Sequence, residues 1–338
     1  MKNWINEISS NDSIVLSSKI RLSRNLKNIP FPNKLNYIKA RENSKIIYDS
    51  INNKIDDENF TLYEMWNDNK EKFNKYLEKD LISRHIFDNY DKAAFILNEE
   101  ETISIMINED DHIRLQCITN GLDLEKAFNK ATIIDDKMEE NILYEFDETL
   151  GYLTSNLSDV GTGMRASVVI HLPALTMSEE IKNISKYLNN NGLDIKGIYM
   201  DGEKVFGNIY EIFSKESLGI TENDIVNKLK SSVLNIISQE KKFREILMSK
   251  CKYELEDKIY RSYAILKSAI LLDYKETIDL LSNIRLGTEL SIIDIDKRKI
   301  NKILTTIGDE SLQSFLGRSL ESKEVRYERA KVVKEILI

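Results

Sequence analysis

The sequence predicts an α+β protein whose first two-thirds combine an antiparallel sheet with segregated helices and whose last third is helical. Two patterns carry this expectation. Residues 92–119 read KAAFILNEEETISIMINEDDHIRLQCIT, in which β-rich apolar runs alternate with brief acidic turns, as in an antiparallel meander. From about Thr221 onward, apolar residues recur at three- and four-residue spacing and strand signals largely disappear.

Taken in order, helix-period stretches at residues 39–52 and 123–148 flank the meander, and an apolar strand at 166–172 follows a glycine-containing loop. Thr221 is a candidate helix N-cap, with Asp224 in a capping-box-like position ahead of IVNKLKSSVLNIIS. Residues 240–281 contain no Gly or Pro, whereas Gly287 and Gly308 are expected breaks. A domain boundary falls near residues 220–235, dividing 1–230 from 231–338.

At 338 residues the chain has room for one large or two ordinary domains, and 41% hydrophobic with 31% charged residues is a globular balance. The formal net charge is −8 and the basic residues are interleaved with acidic ones, which argues against a direct nucleic-acid binder. Cys117 and Cys251 stand alone and the three histidines are scattered, so neither a disulfide framework nor a structural zinc site is expected. The opening MKNWINEISSND has no apolar h-region, and the most apolar later run, residues 263–274, is short and broken by Lys267. A cytoplasmic protein without a membrane span follows as the expectation.

Four segments mix charged residues into strand ends and glycine-containing turns, where rigid elements can project polar groups into one cleft. They are IVLSSKIRLSRNL (14–26), INEDDHIRLQ (107–116), TSNLSDVGTGMRASVVIHLPAL (154–175) and IKGIYMDGEKVFGNIYEI (195–212). Taken singly, each has a plainer reading. NEDDH is then a solvated acidic turn, Arg165 an ion-pair residue, and Gly161 and Gly163 turn formers. His85 and His112 are then structural histidines, and the apolar runs of the last third are core and dimer interface.

Together, and in this order, the four segments resemble the guanidino kinases, in particular the bacterial protein-arginine-kinase branch. The family forms are Ser-Ser-Arg-Ile-Arg, Asn-Glu-Glu-Asp-His-x-Arg and Cys-Pro-Thr-Asn-x-Gly-Thr-Gly-x-Arg-Ala-Ser, and the likeness spans roughly residues 12–225. The resemblance implies a guanidino-kinase catalytic domain over 1–230, with a large antiparallel sheet flanked by helices, and an all-α dimerisation and regulatory domain over 231–338. It implies transfer of the ATP γ-phosphoryl group to arginine side chains of proteins, with ATP and Mg2+ as cofactors. It also implies a role in protein quality control and stress response. An activator protein, a heat-shock repressor, a Clp-type unfoldase and a second copy of the chain are the implied partners.

Phosphoryl transfer passes through a loose transition state, so the protein mainly aligns the reactants and neutralises spreading negative charge. The resemblance gives that role to Arg21, Arg114 and Arg165, with Lys19 and Lys196 standing where the family has arginine. The implied nucleotide site comprises Ser17, Ser18, Lys19, Ile20, Arg21, His85, Arg114, Arg165, Ala166, Ser167, Val168, Val169, Lys196, Gly197, Ile198, Tyr199, Met200 and Asp201. The acceptor guanidinium has a pKa above about 12 and must be held and deprotonated by carboxylates, a role implied for Asp110 and Asp201. Glu109 is implied to assist the metal through water.

Several positions depart from the family pattern. Asp110 and Asp201 replace glutamates and reach one methylene less, while Asn156 replaces the reactive cysteine and Asp159 an asparagine. The C-terminal phosphoarginine-reading motif Arg-Asp-x-x-Arg-Ala is matched only by Arg329 and Ala330. Two outcomes therefore stand beside an active kinase: a weakened or inactive relative that keeps nucleotide or arginine-protein binding, and a non-catalytic scaffold.

Overall fold

A computed structural model describes residues 14–52, 54–55 and 58–337; the reading of the N-terminal segment 1–13 lies outside the described residues. The first region contains β1 (Val15–Arg24), α1 (Tyr37–Ile51), β2 (Phe60–Glu64), α2 (Asn74–Glu78), β3 (Ala94–Asn98), β4 (Ile103–Ile107) and β5 (Ile113–Asn120). It continues with α3 (Leu124–Glu139), β6 (Phe146–Asp147), β7 (Gly151–Tyr152), β8 (Met164–His171), α4 (Pro173–Met177), α5 (Ile181–Asn190), β9 (Leu193–Asp201) and β10 (Lys204–Ser214). The rest is helical: α6 (Glu222–Lys250), α7 (Lys252–Ser268), α8 (Tyr274–Glu289), α9 (Lys297–Thr306), α10 (Asp309–Leu316) and α11 (Ser322–Leu337).

Eight strands form one sheet in the order β2-β3-β4-β5-β1-β8-β10-β9, and β6 and β7 form a separate pair. The strand pairs of the large sheet are antiparallel throughout. The expected meander is the run β3-β4-β5, in which IleSerIleMetIle of β4 is buried on both faces. Strand β1, first among the described residues, is threaded into the centre between β5 and β8.

One face of the sheet is the main core. Ile20 and Leu22 of β1, Leu115 and Cys117 of β5, Ala166 and Val168 of β8 and Ile212 of β10 pack there with α3 residues Ala127, Ala131 and Ile134 and α6 residues Leu229, Val233 and Ile236. The opposite face is covered at one side by Met65, Phe73, Tyr76 and Ile86, which pack on Phe95, Met106 and Ile118. Beyond the other side, a second core of α8, α9 and α11 receives Tyr199 and Phe206 from the β9–β10 hairpin. Alternation of side chains along a strand is what lets one sheet bury an apolar face and present a polar one.

Two expectations about helices need correction. The helix expected over 123–148 ends at Glu139, because the following residues pair with the end of β1 instead: Lys27 N–H donates to Leu143 at 2.9 Å and Glu145 N–H to Asn25 at 2.7 Å. Gly287, expected as a break, lies inside α8, where its missing Cβ leaves room for Ile259 of α7. Gly308 does start a helix, as the N-cap residue of α10, and Thr221 caps α6 by accepting the Asp224 N–H at 3.2 Å. Helix α6 runs unbroken through residues 230 and 231, and its buried residues Val233, Ile236 and Ile237 still belong to the main core. Among the described residues no helix is long and apolar enough to cross a membrane.

Candidate active site

The register of the central strands determines what the uncovered face carries. Arg21 of β1 lies opposite Gln116 of β5 and Arg165 of β8, Lys19 lies opposite Ser167, and Ser23 lies opposite Arg114. Glu211 of β10 lies opposite Val169 on one side and Lys196 of β9 on the other. Opposed residues and every second residue share a face, so Lys19, Arg21, Arg114, Arg165 and Lys196 converge with Glu211 on one surface. Ser17, Ser167 and Val169 share it. Ile20, Ala166 and Val168, from the expected nucleotide set, point into the apolar core instead. Ser18 also turns away, donating to the Gly121 carbonyl at 2.7 Å and accepting the Asp123 N–H at 3.1 Å to hold the turn into α3.

Five cations so close together require anions, and four of them have one. Lys19 pairs with Asp80, Arg114 with Glu109 at 2.5 Å, Arg165 with Asp159 at 2.6 Å, and Lys196 with Glu211 at 2.9 Å. Burial would raise the Glu211 carboxyl, but Lys19, Lys196 and Arg21 overcome it and hold the pKa down at about 2. Arg21 makes no hydrogen bond or ion pair among the described residues; burial, then Arg114, lowers its pKa against the opposing pull of Glu211 and Asp80. A desolvated, unpaired guanidinium beside two others is costly unless an anion arrives. Ser167 adds a buried hydroxyl without a partner among the described residues on the same face.

The acidic turn between β4 and β5 is built from both directions. Buried Glu109 accepts from Arg114 and from Ser83, and its carbonyl accepts from Asn89 Nδ2 at 2.7 Å. Asp111 accepts from Asn25 at 2.6 Å and from the Ser155 N–H at 2.7 Å, which ties the turn to the loop before β8. His112 is buried, its Nδ1 accepts the Leu26 N–H at 3.2 Å, and burial pushes its pKa down to about 4, so it is a neutral structural residue. Asp110 projects from this turn with its pKa raised, first by partial burial and then by Glu109, against the opposing pull of Arg114 and His85. His85 is exposed and lies 3.5 Å from Asp88.

The loop ahead of β8 takes its shape from two glycines. Gly161 (φ 116°) and Gly163 (φ 63°) both occupy left-handed backbone, and a Cβ would strike the Ser217 carbonyl at the first and the Ser23 carbonyl and Arg24 guanidinium at the second. Buried Arg24 locks this loop to the sheet, bonding Asp135 at 2.7 Å and the Thr162 carbonyl at 3.1 Å and lying 3.6 Å from the Tyr152 ring centroid. Asn156 at the loop's start accepts the Ser158 N–H at 3.1 Å.

Asp201 is placed differently. It lies at the tip of the β9–β10 hairpin, exposed, and its partner is Lys275 of α8 at 2.6 Å, whose hydrogen bond and charge lower its pKa. No contact among the described residues links it to Asp110. The neighbouring hairpin residues follow it: Tyr199 packs edge-on against Tyr274 with ring centroids 6.0 Å apart, and the Gly207 N–H donates to Asp279 at 2.7 Å. Gly197, Ile198 and Met200 therefore lie along a strand that leads away from the cation face. Arg329 is buried in α11 and donates to the carbonyls of Ile307 (2.9 Å) and Leu272 (3.0 Å) and to Asp309, while Ala330 is part of the second core.

Sequence reasoning missed two of the four acids that balance the cations, Glu211 and Asp80. Glu211 carried a usable signal, a lone acid alternating with apolar residues in YEIF opposite Lys196. Asp80 carried none, because only the fold brings its loop over Lys19.

Residues 42–243 match the ATP:guanido phosphotransferase C-terminal catalytic domain, and residues 252–338 match the protein-arginine kinase McsB C-terminal domain. The chain belongs to the ATP:guanido phosphotransferase family. Within that family, it is 56% identical over 337 residues to a protein-arginine kinase of Clostridium botulinum (strain Eklund 17B / Type B), covering 100% of this chain and 99% of the relative. It is 38% identical over 340 residues to one from Geobacillus sp. (strain WCH70), covering 100% and 94%. The fold is shared with a lombricine kinase structure, with a TM-score of 0.60 and 22% identity over 71% of this chain and 70% of that one. It is also shared with the duplicated taurocyamine kinase of Schistosoma mansoni, with a TM-score of 0.63 and 21% identity over 77% and 39%. Membership makes this chain an ATP-dependent phosphotransferase by descent.

Proposed function

We propose that this chain transfers the γ-phosphoryl group of ATP to arginine side chains of proteins. The observation that carries the reading is the cation face, where Arg21, Arg114 and Arg165 crowd together and Arg21 makes no direct ion pair among the described residues. Triphosphate oxygens are the anions such a face lacks, and planar guanidinium forks meet them bidentately. Lys19, Lys196 and the free hydroxyl of Ser167 add donors around the same centre.

The acceptor arginine arrives as a cation without a free nitrogen lone pair, so a carboxylate must take a proton as the new N–P bond forms and the ADP oxygen leaves. Asp110 suits that step because burial and Glu109 raise its proton affinity. Asp201 is the second carboxylate of the reading, orienting the guanidinium fork once the hairpin tip parts from Lys275. Both being one methylene shorter than glutamate, the acceptor must sit closer to the backbone.

Magnesium would be carried on the nucleotide, where it neutralises phosphate charge. No group of three or more His, Cys, Asp or Glu among the described residues forms a cage for a metal, which suits an ion held mainly by phosphate and water oxygens. Glu109 is the carboxylate this reading assigns to one of those waters.

The same reading gives the chain arginine-containing protein substrates, a cytoplasmic place in quality control, and an activator, a heat-shock repressor and a Clp-type unfoldase as partners. A homodimer through the helices after about residue 230 is supported by exposed Ile270, Leu271, Phe315 and Tyr327. An inactive relative has less support than a kinase, since the polar face retains all five cations and a carboxylate of raised pKa. The deciding experiment incubates the purified chain with magnesium-ATP and an arginine-rich protein and reads acid-labile phosphoarginine by mass spectrometry. Product is expected; absence of both product and nucleotide binding overturns the reading. Arg165→Ala should weaken ATP binding by about 1.5–3 kcal/mol in calorimetry.

A further inference from the structure

We propose that Asp159 acts as an internal substitute for a nucleotide phosphate, occupying Arg165 until ATP displaces it, and so sets the nucleotide affinity of this chain. The inference rests on the reading of the cation face as the nucleotide site. Asp159 Oδ1 lies 2.6 Å from the Arg165 guanidinium, and Ser158 Oγ lies 2.8 Å from the same nitrogen. Arg165 is the strand neighbour of unpaired Arg21, so the arginine that Asp159 covers borders the one awaiting an anion.

The other acids of the face are held differently. Asp80 is largely solvated, its side chain 71% exposed, and leaves Lys19 at little cost. Glu109 is gripped by Ser83 as well as by Arg114, and Glu211 is strand-borne among Lys19, Lys196 and Arg21. Asp159 is buried, enters from the loop, and holds Arg165 through one oxygen, which also accepts at 3.2 Å from Ser158 Oγ of the same loop. Its loop remains anchored without that carboxylate: the Asp159 N–H donates to the Asn156 carbonyl at 3.0 Å and its own carbonyl accepts from Ser217 Oγ at 3.0 Å.

Charge balance gives the same result. Five cations against the four acids Asp80, Glu109, Asp159 and Glu211 leave a single net positive charge on the face. A triphosphate carries several negative charges, so its entry at Arg165 requires a carboxylate to leave or be repelled. Binding is thus an exchange of one anion for another, and its net gain is smaller than the contact made.

Asp159→Asn removes the charge and keeps the shape and an amide oxygen for Arg165. The expected result is tighter ATP binding in calorimetry, on the order of ten- to a hundredfold, with the affinity for adenosine unchanged. A damaged fold lowers affinity, so a gain confined to the phosphate-bearing ligand has no structural explanation. Asp159→Ser, with its fold verified by circular dichroism, is read by the same criterion. Unchanged or weaker ATP binding in both variants, while Arg165→Ala still weakens it, overturns the role of Asp159 and leaves the nucleotide site standing. An equal gain for adenosine also overturns it. Wild-type chain that binds no ATP overturns the nucleotide-site reading instead.

Discussion

Two acids of the β9–β10 hairpin, Glu211 toward its base and Asp201 at its tip, stand in opposite circumstances. At the base, Glu211 is buried among Lys19, Lys196 and Arg21 and its pKa is pulled to about 2. At the tip, Asp201 is exposed and paired with Lys275 of α8, a residue outside the sheet. One hairpin is therefore fastened to the catalytic sheet by charges it cannot easily release and to the helical region by a charge it can. The difference teaches that a lowered carboxyl pKa has two meanings here: at the base it marks a structural anchor, at the tip an exchangeable contact.

The largest expected effect is catalytic. Asp201→Asn should cut phosphoarginine formation by about 10²–10⁴-fold while leaving the melting temperature unchanged, because an exposed contact at a hairpin tip carries little of the fold. Asp110→Asn should lose a similar factor. Full activity in Asp201→Asn beside a dead Asp110→Asn breaks the comparison, since the tip would then have no part in the reaction.

A change of fold stability comes next. Glu211→Gln should cost up to about 3 kcal/mol at pH 7, read from denaturant unfolding. A depressed carboxyl stabilises the fold above its ordinary pKa of 4.5 and loses that contribution as pH falls toward about 2, so variant and wild type should converge over that window. A gap that persists undiminished near pH 2 would show that shape, not charge, holds the base.

The smallest effect sharpens the comparison most. Lys275→Ala frees Asp201 from its lysine competitor and should raise kcat/KM for an arginine protein, within about fivefold for so exposed a pair. A fall would recast Lys275 as a residue that holds Asp201 in its working position.

The sheet was largely legible in the sequence through its apolar runs and turns, and the cation face through the resemblance that the four ordered segments carry. In residues 92–119 the β-rich apolar runs and the acidic turns between them mark β3, β4 and β5, strands buried on both faces whose boundaries the turns announce. The helix expected to run to Glu148 was not legible, since backbone pairing of 143 and 145 with the end of β1 is tertiary and overrides local preference. Nor was the placement of Asp201. Its motif lies beside Lys196 in sequence, and only the packing of Tyr199 and Phe206 into the second core separates the tip from the cation face. Arg329 shows the same limit, for nothing in VRYERA announces that its guanidinium is spent on two carbonyls and Asp309.

Those bonds of Arg329 bear on how the protein is made. The carbonyls of Leu272 and Ile307 wait for a donor from α11, which leaves the ribosome after both of them. At about 5–20 residues per second, the 16 residues of α11 take on the order of one to three seconds to emerge. During that interval the sheet can already close around β1, while the helices that receive the hairpin tip still lack α11.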